Sequence, residues 1–552
     1  MPTIAVVVVH GMGEQREGET LLEWAEPLLG RIDWALSNDP GAPIGHRHGV
    51  RITSSTLGSG NAGASASSAR VDAVLHTRTA DVPMTFLEAT WSESFVPVSR
   101  AETFRWGSRF LWRALWRLFH HVRRTIVWIP YLTMRSRKPS LRSIRDVIAS
   151  FFGLILGFVA LVLTVVIGVV GSILLTLAAP LLLIPGIKLV LQPIVDKLVA
   201  YVGDVATYQR HPLRAAAMEG VILNRIVHAH ELLKDAPGSL LIIIAHSQGS
   251  AMTVTTLLGG GLGTENWQTR VQLNTVGTAV SLITESTYLE SGTDDGYTPV
   301  ARWASERPEI GWENFWGIWD PVPSGPIGDN DAQRDARWRE SYTRQSTDVV
   351  GPGEHPVHNT SSPFTDHQSY ASNILQVIDP IVDQISPTAG GLIRAEVSAK
   401  NRATTVAIRR SRPVMAALSV VIALSVFGWW SPEWLDWIPW ANVLPAIVIP
   451  FVPAVLITLV LVWAYGSWST ALERSLVWPK PGSTRPSTVK VVTPLAIYSA
   501  AAIVVALALL TPMLGGWVWL VAVLLVGLGV VLVVSVFSTP PRPLPERRGS
   551  SA

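Results

Sequence analysis

The segment Leu240-Leu-Ile-Ile-Ile-Ala-His-Ser-Gln-Gly-Ser250 constrains the fold more than any other part of the chain. Its apolar start reads as a buried strand that runs straight into a sharp turn with Ser247 at the apex. A strand-to-helix turn of this kind lifts the serine Oγ clear of the backbone and above the sheet. It needs small residues on both sides, because strand and helix backbones come close together. Ala245 and Gly249 meet that need, so the pattern is A-x-S-x-G in place of the commoner G-x-S-x-G. Five frequent residues carry little weight alone. The weight comes from the apolar run before them and from partners elsewhere, in a definite order.

The first partner opens the chain. Ile4–Val9 is a β-branched run suited to a strand buried on both faces, and it ends in His10-Gly11-Met12-Gly13. A glycine-bearing turn there can aim backbone N–H groups at a developing oxyanion. The second partner is the strand around Phe315–Trp319, ending in Asp320-Pro-Val-Pro323, and the third is Thr365-Asp-His367-Gln-Ser-Tyr370. The order is serine, aspartate, histidine.

With HGMG, AHSQG, WDPVP and DHQSY in that order, residues 1–92 and 200–385 resemble the α/β-hydrolase superfamily, more narrowly its lipase and serine-esterase members. The resemblance implies an α/β fold: a parallel, doubly wound sheet flanked by helices, with catalytic residues on loops at strand C-terminal ends. It makes Ser247 the nucleophile, His367 the general base and then acid, and Asp320 the orienting carboxylate. Met12 and Gln248 would supply the oxyanion N–H groups, with Gly11 or Gly13 as alternates. Asp329 and Asp366 are the spare carboxylates, and His355 and His358 the rival histidines, in a Gly- and Pro-rich stretch that reads as plain loop. His10 reads as a turn residue. His46 with His48, and His228 with His230, have no Cys or carboxylate cluster near them, so no metal is expected, and no cofactor.

Hydrophobicity is the second constraint. The chain is 48% hydrophobic and 15% charged, with 23 tryptophans. Its mean hydropathy is +0.32, too apolar for a soluble enzyme. The excess is localised. Residues 147–195 are almost uninterruptedly apolar, long enough for two bilayer spans at about 20 residues each. Further candidate spans are Val414–Trp430, Val443–Tyr465, Val492–Leu514 and Trp517–Phe537, which makes six.

Basic residues set the orientation. They crowd before the first span from Arg105 to Arg145, before the third at Arg402, Arg409, Arg410 and Arg412, and between the fourth and fifth at Arg474, Lys480, Arg485 and Lys490. The loop after the third span, Trp429–Trp440, carries acids and tryptophans but no bases. The hydrolase domain and both termini are therefore expected in the cytoplasm. The N-terminal apolar run is too short for a signal peptide and lacks a basic start, and the chain has no cysteine.

Between the two hydrolase halves, Phe104, Trp106, Trp112, Leu115, Trp116 and Phe119 interleave with Arg105, Arg109, Arg113 and Arg117 at a helical period. Such a basic, aromatic amphipathic helix suits a membrane interface. Nucleic acid is a poor partner, because net charge is only +3 and the bases crowd the spans.

The organisation expected is therefore a first hydrolase half at 1–92, an interfacial segment at 93–146 and a transmembrane hairpin at 147–195. The catalytic half follows at 200–385, then a linker at 386–412, four spans within 413–538, and a basic tail at 539–552. The expected function is hydrolysis of an ester by a membrane-embedded serine hydrolase, with a lipid or other amphiphilic ester as substrate and membrane lipids as partners. The rival is a membrane scaffold or transport component with a degenerate hydrolase domain; near charge-free spans argue against a transporter.

Overall fold

The computed structural model describes residues 1–13, 15–37, 49–57, 69–92, 203–258, 269–283, 299–343, 348–360 and 365–390, with positions inside 116–121, 397–412 and 463–478. The expected hairpin at 147–195 lies outside the described residues, as do the basic tail, most of 93–146, and 413–538 apart from 463–478. Among the described residues, no helix is long and apolar enough to cross a membrane.

Eight strands form one sheet: β1 (Ile4–Val9), β2 (Gly49–Thr56), β3 (Arg70–His76), β4 (Asp81–Ala89), β5 (Leu240–His246), β6 (Arg270–Val276), β7 (Gly311–Gly317) and β8 (Gly353–Val357). Their order is β2-β3-β4-β1-β5-β6-β7-β8. From β4 through β8 every pairing is parallel. The pairs β2–β3 and β3–β4 are antiparallel, so the sheet is mixed and not wholly parallel as expected. The reason is chain length. β3 and β4 are joined by a tight turn in which Thr77 N–H donates to Ala80 O, whereas a parallel crossover needs a dozen or more residues.

Strand β1 lies between β4 and β5 and is buried throughout. Ile4, Val6 and Val8 pack on one face with Leu21, Trp24, Leu28 and Ile32 of α1 (Glu19–Ser37). Ala5, Val7 and Val9 pack on the other with Met218, Ile222 and Ile226 of α2 (Pro212–Leu233) and Met252 of α3 (Ser247–Leu258). Each large apolar side chain buried this way contributes about 1.5–3 kcal/mol. The result is a three-layer α/β arrangement with β1 and β5 at its centre.

The stretch Gly353–Val357 around His355, expected as plain loop, corrects to strand β8, while His358 lies just past its end. The strand's proline is tolerated because, among the described residues, β8 pairs only with β7 and lies at the sheet edge. After His367, a π-helical turn at Ile374–Ile378 precedes α6 (Asp379–Ile385). The Asn373 side chain accepts from Gln376 N–H and holds that irregular entry. Two further helices, α4 (Pro299–Glu306) and α5 (Asp331–Thr343), flank β7 in sequence.

The stretch expected as a linker contributes to the core. Val397, together with Val477, packs in the cluster beneath α1 and α6. Arg31 of α1 is buried and forks onto Asp379 of α6 at 2.6 and 3.2 Å, while its third nitrogen donates to Val477 O at 2.9 Å. The guanidinium lies over Trp34 and Trp478, 4.1 and 5.1 Å from the ring centroids. Arg409 and Arg412 both pair with Glu473, joining 397–412 to 463–478.

Candidate active site

Strand β5 is apolar for six residues and feeds directly into α3, and the junction falls at Ser247. Ser247 has φ 53, a left-handed conformation that a non-glycine residue adopts only at a cost. The neighbouring backbones leave no room for larger residues. A Cβ on Gly249 would lie 2.1 Å from His10 O, and one on Gly11 would lie 2.8 Å from Ser247 Cβ. The small flanking residue anticipated on the helix side is thus required by contact with the β1 loop. Ala245, on the strand side, is fully buried.

Three of the residues singled out in the sequence meet here. Ser247 Oγ is 2.8 Å from His367 Nε2, and His367 Nδ1 is 2.9 Å from Asp320 Oδ2. Their chain separations are 120 and 47 residues, so only the fold brings them together. Asp320 is completely buried. Burial pushes its carboxyl up, but the His367 charge and hydrogen bonds from His367, Tyr370 and Val322 outweigh it and hold the group below the usual range.

Tyr370, three residues past His367, was given no role from the sequence. Its hydroxyl donates to Asp320 Oδ2 at 2.6 Å and accepts from Gly317 N–H at 2.6 Å. Burial, then the adjacent Asp320 charge, raises the phenol well above its ordinary range, so it stays a neutral donor. Gly277 makes space for this cluster, since a Cβ there would lie 2.7 Å from the Tyr370 ring and 3.1 Å from Asp320 Oδ2. No spacing rule in the sequence marks such a tyrosine.

The spare residues have other work. Asp329 accepts from Val300 N–H and Ala301 N–H, both at 2.9 Å, and caps α4. Asp366 is fully buried; its carboxylate accepts from Thr360 N–H at 2.7 Å and Trp319 N–H at 3.2 Å. His355 pairs with Glu313 at 2.7 Å and stacks on Phe315. His358 N–H donates to Gln376 and its carbonyl accepts from Arg409. His10 is buried and stacks on Trp91 with centroids 4.5 Å apart. Its Nδ1 donates to Gly11 O and its Nε2 accepts from Trp91 N–H, an arrangement for a neutral ring. Burial pushes its pKa down to about 4.

A second histidine sits beside these three residues. His246 Nε2 donates to His367 O at 2.9 Å, and the two rings lie 4.8 Å apart. Burial, reinforced by the His367 charge, lowers its pKa to about 3, so it remains neutral.

Around the serine is a cleft of about 200 Å³, with Met12 supplying apolar surface and Gln15, Glu23 and Gln368 polar surface. Gly11, an expected oxyanion-loop residue, also lines it. Of the candidate donors in that loop, Gly13 N–H is taken by Asp204 Oδ2 at 2.8 Å. Gln248 lies in the first turn of α3, where backbone N–H groups have no intrahelical acceptor. Among the described residues, no group of three or more His, Asp or Glu could hold a metal. In comparisons with family models, curated proteins and solved structures, no match was found.

Proposed function

We propose that the chain is an integral-membrane serine hydrolase of the α/β-hydrolase type that cleaves a carboxylic ester of a lipid or other amphiphile. The observation that carries this reading is the unbroken hydrogen-bonded line from Ser247 Oγ through His367 to Asp320, at 2.8 and 2.9 Å. It is joined by the left-handed backbone at Ser247, which sets the hydroxyl at the head of α3.

In the proposed cycle the His367 imidazole takes the Ser247 proton as Oγ attacks the ester carbonyl. Asp320, held ionised by Tyr370 and the Val322 amide, fixes the tautomer and stabilises the imidazolium. Met12 and Gln248 N–H groups receive the oxyanion. His367 then protonates the departing alcohol, and water repeats the sequence on the acyl-serine. The juxtaposition of Met12 with Gln15, Glu23 and Gln368 in the cleft favours a substrate with apolar and polar parts. The long apolar runs favour one that resides in a bilayer.

Fluorophosphonate labelling of membranes carrying the wild type and Ser247→Ala tests the reading. Labelling that vanishes in the variant is the expected result. A folded wild type that takes no label would favour the scaffold alternative, and label persisting in the variant would move the nucleophile elsewhere. Reporter fusions at Trp434 and Lys480 test the proposed orientation, with Lys480 expected on the cytoplasmic side.

A further inference from the structure

Two segments that border the long apolar runs reach into the loops carrying the triad's acid and base. The first is the basic aromatic segment. Its Trp116 is 60% exposed and its Arg117 and His121 turn inward. His121 is buried, meets Trp316 edge to face, and its Nε2 donates to Ile318 O at 2.7 Å, two residues before Asp320. Arg117 donates to Ser281 O at 2.9 Å and to Pro323 O at 3.4 Å, three residues after Asp320.

The acid loop needs such support. It holds two residues in left-handed backbone, Ser324 at φ 50 and Gly325 at φ 108. Its other ties are Asp320 N–H to Gly317 O, Ile318 N–H to Val357 O, Trp319 N–H to Asp366 Oδ2, Val322 N–H to Asp320 Oδ1 and Ser324 Oγ to Pro321 O.

The second segment is 397–412. Arg409 is buried, paired with Glu473, and donates to His358 O at 2.9 Å. The next two residues hold the base loop: Asn359 Nδ2 donates to Asp366 O at 2.9 Å and Thr360 N–H to Asp366 Oδ1 at 2.7 Å. Asp366 is the residue before His367.

We propose that these segments are two clamps that set the triad's geometry, with Arg117 and His121 as positioning residues for Asp320 and Arg409 as a positioning residue for His367. The inference rests on the hydrolase reading above. None of the three side chains lines the cleft. Loosening a clamp therefore changes how well the triad aligns, and not how substrate binds. Alignment errors near 1 Å cost about a hundredfold in rate.

The test uses the purified full chain in detergent, with p-nitrophenyl butyrate as substrate and a fluorophosphonate as label. His121→Phe keeps the ring against Trp316 but removes the donor. Arg409→Met combined with Glu473→Gln removes the clamp without stranding a carboxylate. Each is expected to lower kcat and the labelling rate by about tenfold or more while KM moves less than about twofold. His121→Gln and Arg409→Lys, which restore a donor, are expected to recover most of the rate. Unchanged kcat would overturn the proposal, as would kcat and KM falling together with a lower melting temperature that the conservative variants do not repair. An active wild type with unaffected variants sinks the clamps alone, whereas an inert wild type sinks the hydrolase reading as well.

Discussion

Tyr370 gives Asp320 a hydrogen bond that His367 alone does not, and it takes one from Gly317 in return. Tyr370→Phe removes a donor to a charged group and leaves a buried amide without its acceptor. It should lower kcat by about tenfold and stability by about 1–3 kcal/mol, read from steady-state kinetics and thermal melting. Asp320→Asn should cost about 10³–10⁴ in kcat through the wrong histidine tautomer. Asp366→Asn should cost less than about tenfold, because Asp366 touches backbone amides and not the imidazole. His10 carries a pH signature. Its folded pKa near 4 lies below the ordinary 6.5, so between these values the unfolded chain binds the extra proton and stability drains away as pH falls. The loss should be of the order of 3 kcal/mol, and His10→Gln should flatten the melting temperature against pH across that window. The meeting of Ser247, His367 and Asp320 was legible in the sequence, because serine and aspartate motifs that follow apolar runs stand in order with a histidine motif after them. The choice of Asp320 over Asp366 was legible only as a preference, since distance to an imidazole is a property of the fold. Tyr370 and His246 act through contacts that no local pattern encodes.

At the scale of elements, the elbow is the junction with least freedom. Gly249→Ala would set a methyl 2.1 Å from His10 O, so β1 and α3 must part. We expect a loss of about 3 kcal/mol or more, with fluorophosphonate labelling abolished, measured by melting and by gel fluorescence. The parallel centre of the sheet was readable from its β-branched runs, whose burial on both faces is what a parallel strand requires. The antiparallel edge was not, because the turn at Thr77–Ala80 contains no glycine, proline or asparagine to announce a hairpin. β8 was hidden by its own proline and glycine, which an edge position tolerates. The break before α6 has no mark in the sequence, because its cause, the Asn373 side chain on Gln376 N–H, looks there like any polar residue in a helix.

Across the whole molecule, the core extends past the segments that carry Ser247, Asp320 and His367. Asp379 neutralises Arg31, which is also held between two tryptophans, one of them from near residue 478. Asp379→Ala strands that guanidinium and should cost about 3–5 kcal/mol, observable as a shifted denaturation midpoint of the full chain. The sequence hid this tie, because Arg31 and Val477 are 446 residues apart and the bases near 402–412 read as membrane-flanking charge. The buried positions of Val397 and Val477 have a practical corollary. A shortened chain that ends after residue 390 or 412 would lose that packing and the partners of Arg31 and Arg409. Trimming the apolar run between Arg412 and Glu473 calls for an internal deletion closed by a bridge, so that the strap paired through Glu473 stays in place, and the runs at 147–195 and after 491 are separate edits.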